Sequence, residues 1–268
     1  MDRYVVIGNP VSHSLSPAIH AHFAAQTGEA MEYATLLVPA DRFELEVKRF
    51  FDTGGKGANV TLPFKVDAFR FARVHSERAR VAEAANFLAL RAGVVEADNT
   101  DGAGLVADLT RNLGVALKGK RVLMLGAGGA ARGVLAPLLG EAPARIVVAN
   151  RTLERARELA ARFDGIEAAA LDAIPGGDFD VVVNATSTST HGEAAPVSDR
   201  VLERAAFAYD MAYGPSAKAF VERARRCGAQ ASDGLGMLVE QAAESFHLWC
   251  GKRPATAAIL AELRSRFA

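Results

Sequence analysis

An α/β fold built on parallel strands with covering helices is predicted by three observations. Short β-branched runs alternate with Ala- and Leu-rich amphipathic stretches along the whole chain. One such run, Arg121-Val122-Leu123-Met124-Leu125, passes directly into a glycine-rich turn and an apolar helix. The chain has 268 residues, half of them hydrophobic, enough for one large or two ordinary cores at roughly 100–200 residues per domain. Disorder, collagen and a disulfide scaffold are excluded by the same composition. With 31 basic residues balanced by 31 acidic ones, no basic footprint marks nucleic acid or an anionic membrane as partner, and small molecules become the expected ligands. Cys227 and Cys250 have no CxxC spacing, and the first apolar run, Tyr4-Val5-Val6-Ile7, breaks at Gly8. No stretch approaches the roughly 20 apolar residues of a membrane span. A reducing cytoplasm is the expected location.

In the first hundred residues, strands are predicted at Arg3–Gly8, Glu32–Val38 and Gly57–Thr61. A helix opens at Ser16-Pro17, where the missing proline N–H costs no helical hydrogen bond. A second opens at Pro39-Ala40-Asp41 and carries Phe43, Val47 and Phe50 on one side. Around Asp98-Asn99-Thr100-Asp101-Gly102 the periodicity lapses into turn chemistry, and a helix Gly104–Leu113 leads to the strand at 121–125. Strands at 145–149, 179–184 and 207–210, with a weak one near Ala229–Ser232, then alternate with helical spans as in a doubly wound sheet. After Gly234-Leu235-Gly236, two helices, Met237–Trp249 and Pro254–Phe267, fit no further strand-helix unit and are expected to return to the first domain. The predicted division is 1–101 plus 236–268 for an N-terminal α/β domain, and 102–235 for a Rossmann-type dinucleotide-binding domain.

The turn Gly126-Ala127-Gly128-Gly129-Ala130-Ala131 fits a GxGxxG/A fingerprint, with Ala131 in the third position. A tight turn, close backbone approach and free helix N-terminal amides together cradle a pyrophosphate. Mere packing of helix on sheet is the plainer reading of such a turn, but the flanking strand and helix stand where the cradle needs them. The next strand ends at Asn150-Arg151-Thr152, with Arg155 one turn further. An NAD site places a carboxylate roughly 20 residues past the first glycine, for the ribose hydroxyls. Here neutral Asn150 stands, while Arg151, Thr152 and Arg155 offer two guanidinium forks and a hydroxyl to a 2′-phosphate. NADP(H) is therefore the expected cofactor, although two arginines taken singly would also suit a solvated helix face.

A second set of polar residues falls at strand ends and turns, where α/β proteins bind ligands. Ser16 before Pro17 is explained as a helix N-cap, whereas Ser14 has no such structural explanation. Asn59 and Thr61 share one side of a strand, and Lys65 follows on the first helical turn. Asn86 at the start of a short strand and Asp101 at the boundary complete the set.

Six stretches, Ser14 to Pro17, Gly57 to Lys65, Asp98 to Gly102, Gly126 to Ala131, Asn150 to Thr152 and Asp233 to Leu238, follow one another in the order and spacing of the shikimate dehydrogenase family, which the chain resembles over essentially its full length. The resemblance implies a cleft between two domains, with Ser14, Ser16, Asn59, Thr61, Asn86, Asp101 and Gln241 on shikimate's hydroxyls and carboxylate and Tyr213 near that carboxylate. It implies Lys65 and Asp101 as the catalytic pair. It places NADP(H) on Gly126, Ala127, Gly128, Gly129, Ala130, Asn150, Arg151, Thr152, Arg155 and Met211, with Thr186, Ser187 and Met237 toward the nicotinamide and Gly234 in the hinge-side loop. Phe87 stands where the family has Thr, and Ser189 where it has Gly, so contacts beside Asn86 and the loop path near the nicotinamide are expected to differ.

The implied activity is the reversible NADPH-dependent reduction of 3-dehydroshikimate to shikimate, in aromatic amino acid biosynthesis, by a monomer or homodimer. Two rivals stand beside it: a quinate/shikimate dehydrogenase using NAD, and a non-catalytic NADP-binding module, whose mark would be loss of Lys65 or Asp101. Both residues are present. No histidine spacing makes a zinc site, and His13, His20 and His22 are expected in supporting or surface positions.

Overall fold

A computed structural model describes residues 1–176, 178–188 and 195–267. The chain forms two compact units, Met1–Gly104 with Val239–Glu262, and Leu105–Leu238 with Leu263–Ala268.

The elements of the first unit run in order β1 (Asp2–Gly8), α1 (Ser16–Thr27), β2 (Met31–Leu37), α2 (Phe43–Asp52), β3 (Gly55–Val60), α3 (Lys65–Phe71), β4 (Val74–His75), α4 (Glu77–Ala82), β5 (Phe87–Arg91) and β6 (Val94–Asp98), and α5 (Asp101–Ala107) begins at its edge. The strands order β2-β1-β3-β5-β6-β4. Alternation in the strands decides the faces. Val5, Ile7, Ala58 and Val60 pack with Phe43, Val47 and Phe51 of α2 and with Phe64 and Ala68 near α3. The opposite face carries Tyr4, which pairs in register with Tyr33 and Gly57, and Val6, which pairs with Asn59. Phe51, not Phe50, completes the buried stripe of α2, because 43, 47 and 51 repeat every four residues.

This sheet is mixed, not parallel throughout: β3 with β5 and β5 with β6 are antiparallel. Strands β5 and β6 are joined by a two-residue hairpin turn in which Ala92 (φ 47°) and Gly93 (φ 78°) both adopt left-handed backbone. Alanine at a position that favours Asn or Gly hides that turn from a sequence reading. Helix α5 starts at Asp101 and not at Gly104, because the Asn99 side chain accepts the Asp101 amide and the Thr100 carbonyl accepts that of Gly104. Its continuation, Asp108–Asn112, widens into a π turn.

The second unit adds β7 (Arg121–Leu125), α6 (Gly129–Gly140), β8 (Arg145–Asn150), α7 (Leu153–Ala160), β9 (Ile166–Ala170), β10 (Val181–Asn184), α8 (Asp199–Leu202), β11 (Phe207–Asp210), α9 (Lys218–Arg226) and β12 (Gln230–Ser232). Its strands order β12-β11-β10-β7-β8-β9 and pair in parallel throughout. One face, with Val122, Met124, Val148 and Val183, packs on Leu105, Leu109, Val134, Leu138 and Leu159. The other, with Leu123, Leu125, Val147 and Val182, packs on Leu202, Phe220 and Ala224. A doubly covered sheet explains the continuous apolar strands. Strand β9, Ile-Glu-Ala-Ala-Ala, is absent from the sequence reading, as are β4 and β6 of the first unit; its alanines carry little strand preference, and pairing with β8 supplies the order. Last come α10 (Leu235–Cys250) and α11 (Ala257–Ser265).

Candidate active site

In the first unit, Lys65, Asp101, Asn86, Asn59 and Gln241 join one hydrogen-bonded network. Lys65 opens α3 and Asp101 opens α5; Nζ of the lysine donates to Oδ2 of the carboxylate at 2.5 Å. Their side chains are 18% and 7% exposed, so the pair is largely out of water. Sequestering an ion pair costs desolvation that the contact does not reliably return, which makes it weak as a stability device and suggestive as a chemical one.

The other carboxylate oxygen, Oδ1 of Asp101, accepts from Nδ2 of Asn86 at 2.9 Å. Which way the Asn86 amide points is fixed independently, because its Oδ1 accepts the Thr100 backbone N–H at 2.7 Å, a group that can only donate. The Asn86 NH2 group also lies 2.9 Å from Thr100 Oγ1 and 3.1 Å from Gln241 Oε1. Asn59, in turn, donates to the Asn86 carbonyl at 3.1 Å and to Ser245 Oγ at 2.9 Å, while its Oδ1 accepts from the Tyr33 hydroxyl at 2.8 Å. Gln241 and Ser245, four residues apart, share one face of α10.

Ser14 and Ser16 exchange the structural roles expected of them. Ser16 makes no side-chain cap, Leu15 being the residue before α1, whereas the Ser14 hydroxyl accepts the Ser16 amide at 3.2 Å. Ser16 is buried, and Ser14 and Thr61 are half-buried. Phe87, in place of a hydroxyl residue, is buried with its ring 5.1 Å from that of Trp249. The Trp249 indole donates to Leu88 O, and a Cβ on Gly57 would fall 2.3 Å from its nitrogen, so glycine is what lets α10 approach β3.

Behind the loop that bears Asp101, burial pushes the Asp98 carboxyl up, but hydrogen bonds and charge from Arg78, with Ser76, outweigh it and hold Asp98 below the ordinary range. Arg78 also bonds Glu244 of α10 at 3.0 Å. His20 is fully buried, its ring stacked on Tyr33 at 4.1 Å. Neither ring nitrogen has a well-formed hydrogen bond among the described residues. Desolvation pushes its pKa down to about 3, with the Asn59 side chain offsetting only part of that.

The second unit holds the glycine turn. Gly126 takes φ 101°, and its amide donates to Ala149 O at 2.7 Å; a Cβ there would stand 3.0 Å from Ala185 O. Ala127 is buried and Ala130 half-buried. Gly128 precedes α6 and Gly129 begins it, with open space where a Cβ would lie on either, no side-chain cap and no acidic residue in the first turn. Such a helix end receives an anion. At the end of β8, Asn150 Nδ2 donates to Thr152 O, while Arg151, Thr152 and Arg155 are exposed and neither guanidinium is paired with a described residue. Past β10, the Thr186 hydroxyl donates to Asn184 Oδ1 at 2.7 Å, and Ser187 follows, exposed. Past β11 come Met211 and Tyr213, both half-buried, with burial raising the Tyr213 pKa. Gly234 is buried where a Cβ would strike Met211 O, and Met237 is buried in the core of this unit. Ser189 lies outside the described residues.

Thr100, Ser245 and Tyr33 join the polar network although the sequence reading did not select them. Ser245 was within reach, standing one turn after Gln241; Tyr33 looked like an ordinary strand aromatic. Among the described residues no group of His, Cys, Asp and Glu is arranged to hold a metal ion.

Three family models match the chain: the shikimate dehydrogenase substrate binding domain over residues 6–88, shikimate/quinate 5-dehydrogenase over 108–212, and the shikimate 5′-dehydrogenase C-terminal domain over 234–264. The shikimate dehydrogenase (NADP(+)) of Cupriavidus necator is 53% identical, over 98% of this chain and 94% of that one. An Ael1 enzyme of Pseudomonas putida superposes with TM-score 0.93 at 45% identity, covering 98% of both chains. The shikimate 5-dehydrogenase of Thermus thermophilus, solved with NADP(H) and shikimate, gives 0.89 at 32% identity over 99% of both. With sequence models, full-length relatives and fold in agreement, the chain belongs to the shikimate dehydrogenase family.

Proposed function

We propose that this protein catalyses the reversible NADPH-dependent reduction of 3-dehydroshikimate to shikimate, with residues 1–101 and 236–268 serving the substrate and 102–235 the cofactor. The observation that carries the reading is the sequestered Lys65–Asp101 pair, whose carboxylate is oriented by an asparagine with no freedom to flip.

The second unit fits NADP(H). Gly126 to Ala130 and the α6 amides would hold the pyrophosphate, and Asn150, Arg151, Thr152 and Arg155 the 2′-phosphorylated ribose, with neutral Asn150 where an NAD site carries a carboxylate. Thr186, Ser187, Met211, Gly234 and Met237 would complete the cofactor side. Bound there, NADPH supplies the hydride for the ketone carbon.

Lys65 donates a proton to the ketone oxygen as alkoxide character develops, its ammonium stabilising that charge. Asp101 holds the lysine in place and accepts from a neighbouring substrate hydroxyl, and Asn86 fixes the carboxylate. Ser14, Ser16, Asn59, Thr61, Gln241 and Tyr213 would bind the hydroxyls and carboxylate of the ligand. Unbridged Cys227 and Cys250 suit a cytoplasmic enzyme, and no helix among the described residues is long and apolar enough to cross a membrane.

The test is the absorbance of the reduced nicotinamide at 340 nm with shikimate or quinate as donor and NADP or NAD as acceptor. Turnover of shikimate with NADP, well above the other three pairs, is expected. Preference for quinate with NAD would point to the paralogue, and binding without turnover to a non-catalytic module.

A further inference from the structure

Tyr33 lies in β2, the edge strand of the first sheet, and is not among the residues to which the site chemistry above assigns a role. Its hydroxyl donates to Asn59 Oδ1 at 2.8 Å. The direction of that bond is forced. Asn59 Nδ2 faces the Asn86 carbonyl, which can only accept, so the other end of the amide must be its oxygen and the phenol must be the donor. Both Asn59 N–H groups are used, on Asn86 O and Ser245 Oγ, so the Tyr33 hydrogen bond is what completes the fixation of this side chain. The His20 ring, stacked within 9° of parallel at 4.1 Å, fixes the phenol plane. The hydroxyl therefore holds the carbonyl end of a side chain proposed to bind the substrate.

We infer that Tyr33 is a positioning residue for substrate binding, acting through Asn59 without touching the reacting atoms. The inference rests on the proposed function for the role of Asn59. Removing the phenol oxygen leaves the Asn59 carbonyl without its donor in a buried place and lets the amide rotate. The ring itself, and its stack on His20, would survive in Tyr33→Phe.

Tyr33→Phe should raise the KM for shikimate about tenfold, with kcat within about twofold of the parent and the KM for NADP unmoved, since a single lost buried hydrogen bond is worth roughly that factor. In an Asn59→Ala background the same change should add less than about twofold, because groups acting as one unit are not additive. An unchanged shikimate KM in Tyr33→Phe, or the full tenfold recurring without Asn59, overturns the inference. If the parent chain does not oxidise shikimate, the proposed function fails instead. Exchange of the Asn59 side-chain amide protons, followed by NMR, then decides Tyr33: about tenfold faster exchange in Tyr33→Phe upholds its role, and equal exchange refutes it.

Discussion

Acidification from pH 7 to pH 5 should destabilise the first unit through His20. Buried against Tyr33, Phe23 and Phe246, this imidazole has its pKa pushed down to about 3 by desolvation, whereas in the unfolded chain it titrates near ~6.5. Between those values the unfolded state binds the proton and the folded state does not, so stability is complete above about pH 6.5 and declines as pH falls toward 3. At pH 5 the unfolded state gains RT ln(1 + 10^1.5), about 2 kcal/mol. Asp98 and Glu244 are held below the ordinary carboxylate range, so their contribution is lost only on further acidification, from about pH 4 downward. Urea unfolding at both pH values measures the effect; with a slope of about 2 kcal/mol/M, the midpoint should drop by about 1 M. In His20→Phe, which keeps an aromatic ring and removes the titration, that drop should shrink by the same amount. An equal loss in parent and variant would refute the reasoning.

Three further outcomes follow from other residues. Arg151→Ala combined with Arg155→Ala should raise the KM for NADP by about 10–100-fold and leave NAD unaffected, as expected when charge-assisted contacts to a phosphate are lost; initial rates with both cofactors check it. Gly126→Val should destabilise the second unit by about 1–3 kcal/mol, a branched side chain at positive φ being strained, and should weaken NADP binding in calorimetry. Asp101→Asn removes the charge opposite Lys65 and should lower kcat/KM for shikimate by about 10²–10³, measured in the 340 nm assay.

Much of this was legible because the chemistry sits where local sequence rules are strongest. Arg121–Leu125 and the glycines after it dictate strand, turn and helix by themselves, and the alternation of residues 57 to 61 placed Asn59 on the face it occupies. What escaped depends on partners distant in the chain. The Ala92-Gly93 hairpin defies the usual turn composition, and only its backbone angles reveal the antiparallel pair. The alanines of β9 become a strand by pairing with β8. The sequence assigns the capping role to Ser16, but which hydroxyl serves the backbone is settled by where α1 begins, and it is that of Ser14. Tyr33 entered the network through Asn59, 26 residues away, a relation no local pattern encodes.

The kinetics of Lys65→Met bear most directly on the claim that this lysine is the proton donor held by Asp101. An unbranched apolar side chain of similar length should lower kcat by about 10²–10⁴ while the KM for shikimate stays within a few-fold, as for a group whose worth is realised in the transition state. A large rise in KM with kcat intact would make Lys65 a binding group and contradict the mechanism.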